Sequence, residues 1–237
     1  MTTGRWLQLG GLAGIAYVLA LAIAVFLTGL HPAPSASSEE VREFFVEKHA
    51  SLIAQGWLIA LGAGLLLWFA VALREVMRDA PGGRRLGDVF FVGTAVTAGL
   101  SLVAMSIQIV IAKAASRLTP EAVRVVGFDF VLAQFLLAGF IVASTAVAHG
   151  VCVFRGADLP RWTGWLAIVA TVVNLAGTLV VFVPDGAVSV RGTGGVWLPG
   201  FATAVWYLGA AVALLRASRK QRFASDADPT PSDASAT

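Results

Sequence analysis

The chain has 237 residues, 57% of them hydrophobic and only 13% charged, where a soluble domain usually carries about 25% charge. That composition excludes a water-soluble globular protein. The net charge of +3 says little as a sum, because in a membrane chain the placement of charge decides, and no nucleic-acid partner is expected. Cys152 is the only cysteine, which excludes an intramolecular disulfide and paired-cysteine redox chemistry.

Six apolar stretches, each closed by charge, run over Leu7–Leu30, Leu52–Leu73, Val89–Ala112, Phe130–Phe154, Trp162–Val183 and Leu198–Leu215. Crossing a hydrocarbon core of about 30 Å takes roughly 20 helical residues. The fold class read from this is all-α. It is a six-helix transmembrane bundle over residues 1–217, with a disordered tail over 218–237.

The first stretch is longer than a signal-peptide core of about 7–15 residues. No clean A-x-A site follows in His31–Ser37, so it is expected to stay as a helix. Its Gly10, Gly14, Tyr17, Ala20, Ala24 and Thr28 recur every three or four residues. In the second span Gly56, Ala60 and Gly64 do the same. Small residues let membrane helices approach closely, so these two faces are expected to meet. Between the spans, Ser37-x-x-Glu40 has the capping-box spacing. Val41, Phe44 and Phe45 then share one helical face, while Glu39, Glu43 and Glu47 point elsewhere. This predicts a short amphipathic helix lying flat in the first outer loop.

The third span carries Thr94, Thr97, Ser101 and Gln108 at helical spacing. Thr119-Pro120-Glu121 then reads as a helix start, with a capping Thr and Pro at the first position. Asp129, at the head of the fourth span, is expected to cap it. That span carries Gln134, Thr145 and His149, and a buried Cys152. The fifth carries Thr171, Asn174 and Thr178. The Gly192-Thr193-Gly194-Gly195 segment before the sixth lacks phosphate-loop spacing and reads as a flexible turn. No proline lies in a span interior on this reading, and Pro199 falls in the first turn of the sixth span.

Eleven of the seventeen Lys and Arg residues fall on the side that holds both termini. The positive-inside rule therefore puts both termini in the cytoplasm. Trp6, Trp57, Trp68, Trp162, Trp165 and Trp197 lie near span ends, as interfacial anchors do. Arginine dominates the basic residues, and Ala, Gly and Val are abundant. This composition suits a GC-rich bacterial genome and hence a bacterial plasma (inner) membrane.

Gln108, Gln134, His149 and Asn174 are the candidate site residues. The polar stripes of the third, fourth and fifth spans are expected to meet in one seam. Such a seam either lines a cavity or proton path, with His149 its titratable group, or only holds helices together at about 0.6 kcal/mol per contact. The second is the simpler reading. No acid–base pair, metal cluster or cofactor motif stands out, so neither catalysis nor a cofactor is expected.

The Leu159-Pro160-Arg161-Trp162-Thr163-Gly164-Trp165 segment and the His49–Leu73 stretch ending in Arg74 resemble those of uncharacterised multi-pass membrane proteins of actinobacteria. The resemblance implies a family of unknown function, so it carries over no catalytic residues. The expected function is a non-enzymatic bundle that contacts lipid and partners or regulates another membrane component, either a second protein or its own copy. The alternative is a small-molecule transporter or binder that uses the seam.

Overall fold

The computed structural model describes residues 3–29, 31–33, 35–182 and 193–227. Among them, seven helices form: α1 (Thr3–Thr28), α2 (Ser38–Glu47), α3 (His49–Arg78), α4 (Gly83–Ala114), α5 (Pro120–Phe154), α6 (Arg161–Leu179) and α7 (Thr193–Ala227). All but α2 contain a stretch long and apolar enough to cross a membrane. The six apolar stretches of the sequence are these six helices, and the chain is a multi-pass integral membrane protein.

Each span packs mainly against the next in sequence, and α7 returns to α1. The six therefore close into a ring, and α3, α5 and α7 also touch across its middle. Short connections impose this order. Residues 79–82 join α3 to α4, and residues 155–160 join α5 to α6, which leaves antiparallel neighbours as the accessible arrangement. Gly82 in the first of these turns has φ +74°, a conformation that costs a residue with a Cβ but not glycine.

The middle of the ring is filled by large side chains. Phe69, Leu66, Leu73 and Met77 of α3 meet Phe90 of α4, with Trp206, Tyr207 and Leu214 of α7. All of them are fully buried. The outer surface is apolar too, with Leu19, Ile23, Trp57, Leu61, Val110 and Phe140 exposed. Lipid tails are as apolar as leucine, so helix association here rests on close packing.

The α1–α3 contact is where that packing is tightest. A Cβ on Gly14 would stand 2.6 Å from the Phe69 ring, and one on Gly10 would collide with Ala72. The expected meeting of α1 and α3 holds, but through a different face of α3. Gly62 faces Tyr17 and Ala20 of α1, whereas Gly56 faces Ile109 of α4 and Gly64 faces open space. Small residues occur on two sides of α3, and spacing alone does not select the side.

Three further expectations change. Asp129 caps nothing: α5 starts at Pro120, and Asp129 lies inside a widened π turn over Val123–Asp129, paired at 3.3 Å with Arg124. Thr119 supplies the cap, accepting from the Ala122 N–H at 3.3 Å. At the last span, Thr193–Gly195 is helical and not a turn, which puts Pro199 inside the helix. Gly192 lies outside the described residues. The last helix also runs on to Ala227, past Ala217 where the membrane domain was expected to end. Residues 228–237 of the expected tail lie outside the described residues.

Candidate functional site

At the end of the bundle away from the termini, α2 forms a cap. Its first turn is closed by the expected box. The Ser37 hydroxyl accepts from the Glu40 N–H at 3.2 Å, and the Glu40 carboxylate accepts from the Ser37 N–H at 2.6 Å. The Ser37 N–H, and after it the Ser37 hydroxyl donating to the same carboxylate at 2.9 Å, hold the Glu40 carboxyl below the usual carboxylate range. Val41 and Phe45 are buried against Leu52, Ile111, Ala112, Ala115 and Val123, with Phe44 packed beside them. The apolar face of the segment thus points into the bundle.

Arg42 fastens this cap. Its Nε donates to the carbonyls of Ala115 and Leu118, both at 3.2 Å, and its Nη2 to that of Ser116 at 3.2 Å. These carbonyls lie just past α4, in and beside the 3-10 turn Ala115–Arg117 that continues it, where they lack partners within the helix and carry its negative dipole end. An open groove of about 620 Å³ runs between α2 and the segment after α1, lined by His31, Pro32, Phe44, Glu40, Glu43 and Glu47 among others. Among the described residues no Lys or Arg lines it. Burial holds the His31 imidazole below its usual pKa, against a smaller opposing effect of its bond to the Gly29 backbone.

The four candidate residues of the spans do not form one seam. Gln108 donates to the Gln55 side chain at 2.7 Å, and Gln55 donates to the Thr28 hydroxyl at 3.1 Å. This chain of buried groups ties α4 to α3 and α1, away from α5 and α6. Gln134 donates to the backbone carbonyl of Leu100, a contact between α5 and α4. Asn174 is buried as expected, but its amide donates to Ala170 O at 2.8 Å and to Thr203 Oγ1 of α7 at 2.9 Å. The expected partners on α4 and α5 are not used. Gly139 of α5 instead lies against the Asn174 backbone, where a Cβ would approach its carbonyl to 2.9 Å.

His149 is fully buried five residues before the end of α5. Its Nδ1 accepts from the Trp206 indole N–H at 2.8 Å. Around this pair, Phe90 lies 6.3 Å from the imidazole and 6.2 Å from the indole between ring centres, and Tyr207 stacks on Trp206 at 4.6 Å. Phe69 and Tyr17 meet the Tyr207 ring edge-on at 5.7 and 5.9 Å. Cys152, one turn below His149, is buried as expected.

The partners missed in the sequence carried signals. Trp206 stands deeper inside its apolar stretch, Leu198–Leu215, than any other tryptophan does in its own, and an indole N–H at membrane depth needs an acceptor. Gln55 is an amide in an apolar stretch and needs the same. Among the described residues no group of three or more His, Cys, Asp or Glu is placed to hold a metal ion. The chain matches no family model, no curated protein and no solved structure.

Proposed function

We propose that the protein is a non-enzymatic bundle of a bacterial plasma membrane, with both termini in the cytoplasm, that partners or regulates another membrane component through its outer cap. The observation that carries this reading is the acidic groove beside α2. It is held on a helix that is capped at its start, buried along one face and fastened by Arg42. Glu40, Glu43 and Glu47 give it one sign of charge, which suits a basic segment of a partner. The spans support the same reading, because their amides are consumed in contacts that join helices. A carrier built on one seam through α4, α5 and α6 has no such support, since those residues bond to separate partners.

The test is cross-linking in the native membrane followed by purification, with the wild-type chain beside Glu43→Gln/Glu47→Gln. A defined partner recovered with wild type and lost with the variant, which neutralises two of the three groove carboxylates, at unchanged thermal stability, is expected. Recovery of the same proteins by both forms would reject the groove as the contact. Native mass measurement in lipid nanodiscs distinguishes a second copy of the chain from a different protein.

A further inference from the structure

Three buried polar atoms in the middle of the ring have no hydrogen-bond partner in the protein: Thr94 Oγ1, His149 Nε2 and the Tyr207 hydroxyl. They come from α4, α5 and α7, and none of the three residues is more than 1% exposed. They share one tier. Thr94 lies one turn from Phe90, whose ring neighbours both His149 and Trp206. Tyr207 stacks on Trp206, and its hydroxyl lies near those of Thr94 and Thr145 without reaching hydrogen-bond geometry with either. We propose that this tier is a binding site for one small neutral hydrogen-bonding molecule, and that its occupant is water.

The donor inventory sets the chemistry. An indole N–H can only donate, so His149 Nδ1 must accept the bond from Trp206. The neutral ring then carries its proton on Nε2, an N–H that needs an acceptor. Thr94 differs from the other hydroxyl residues nearby. Thr97, Ser101, Thr145 and Thr171 each donate to a carbonyl of their own helix, at 2.7–2.9 Å, and Thr94 does not. One donor and two hydroxyls that can give or take match a water, which typically makes about three hydrogen bonds in a protein interior. No Asp, Glu, Lys or Arg is buried among the described residues. A charged occupant would therefore have no counter-charge in a medium where that is costly.

Leaving the three atoms unpaired is the alternative, and the two cases respond oppositely to mutation. An unpaired buried polar group is a cost that an apolar replacement removes, whereas a group bridged by water is a bond that the replacement loses. Thr94→Val, Tyr207→Phe and the double variant are compared by thermal unfolding of the full chain in nanodiscs. Each single variant is expected to lower the midpoint, and the double to lower it by less than the sum, because both lose the same bridge. Singles that raise the midpoint, or effects that add, would overturn the site. Wild-type protein gives a second reading that needs no variant. With ¹⁵N-labelled histidine, the His149 Nε2–H should show magnetisation transfer from bound water, and its absence would reject the proposal.

Discussion

Asn174 spans two helices with one amide, donating to its own helix and to Thr203 Oγ1, and Thr203 passes a bond on to Pro199 O at 2.8 Å. Replacing it with Leu removes both donors and brings a branched side chain to the face that Gly139 lets close. We expect Asn174→Leu to cost about 1 kcal/mol of bundle stability, and more than Val172→Ala on the lipid face. Unfolding in detergent measures both, and a neutral or stabilising Asn174→Leu would contradict the contact. The Gln108–Gln55 pair gives a sharper case. Gln108→Leu leaves the Gln55 carbonyl oxygen buried without its donor, so the single change should destabilise by about 1–3 kcal/mol. Gln55→Leu/Gln108→Leu should recover part of that loss, because neither amide is then stranded. A double variant as unstable as the sum of its singles would argue against the pair. That these amides face inward was legible in the sequence, since lipid offers them nothing. Which neighbour receives them was not, because Thr203 and Gln55 sit on helices whose rotation about their axes is fixed only by packing.

Among the elements, α2 was the most legible. Ser37, Glu40 and the Val41–Phe45 face specify its start and its buried side through local rules alone. Its fastening was not legible, because the bonds of Arg42 reach across more than seventy residues to the end of α4. We expect Arg42→Ala to raise amide hydrogen exchange over Ser38–Glu47 at least tenfold while leaving the spans protected. Equal exchange in both forms would assign the anchoring to Val41 and Phe45 alone. Acid should loosen the same element. The Glu40 carboxyl is held below its usual pKa, so its contribution is present above the unfolded value and is lost as pH falls through the folded one. Burial lowers the His31 value, so protonation of His31 also favours the unfolded state as pH drops below the ordinary imidazole range. Protection of the α2 amides, with exchange taken relative to its intrinsic rate at each pH, should therefore fall towards acid pH in wild type, and Glu40→Gln should flatten the carboxylate part of that fall. The start of α5 shows the opposite case. Thr119 and Pro120 mark the helix start correctly, and Asp129 then looks like a second start because a π turn leaves no trace in residue spacing.

At the scale of the whole molecule, six spans and an even crossing number follow from hydropathy, but the ring does not. Spacing of small residues points to a meeting of α1 with α3, and nothing in the sequence announces that α7 lies on the other side of α1. The two glycines of the pair Gly10–Gly11 serve these two neighbours separately. Gly10 faces Ala72 of α3, and Gly11 faces Leu215 and Ala211 of α7. Gly11→Leu should therefore wedge α1 from α7 while the α1–α3 contact persists. Cysteine cross-linking across each interface reads this directly, and unchanged α1–α7 cross-linking would count against the ring.

The same closure has a consequence for biosynthesis. Of the seven helices, α1 leaves the ribosome first and finds one of its two neighbours at once, but the other, α7, is made after all the rest. Until α7 arrives, α1 and α6 border an open slot, and Phe69, Phe90 and His149 lack the indole and phenol that cover them. The nascent chain is thus an incomplete arc for most of its synthesis, and it has to be kept from filling that slot with the wrong helix. A chain ending before Thr193 should be inserted in the membrane yet short-lived there, cleared by quality control as an orphaned intermediate. Supplying α7 as a separate peptide should rescue it.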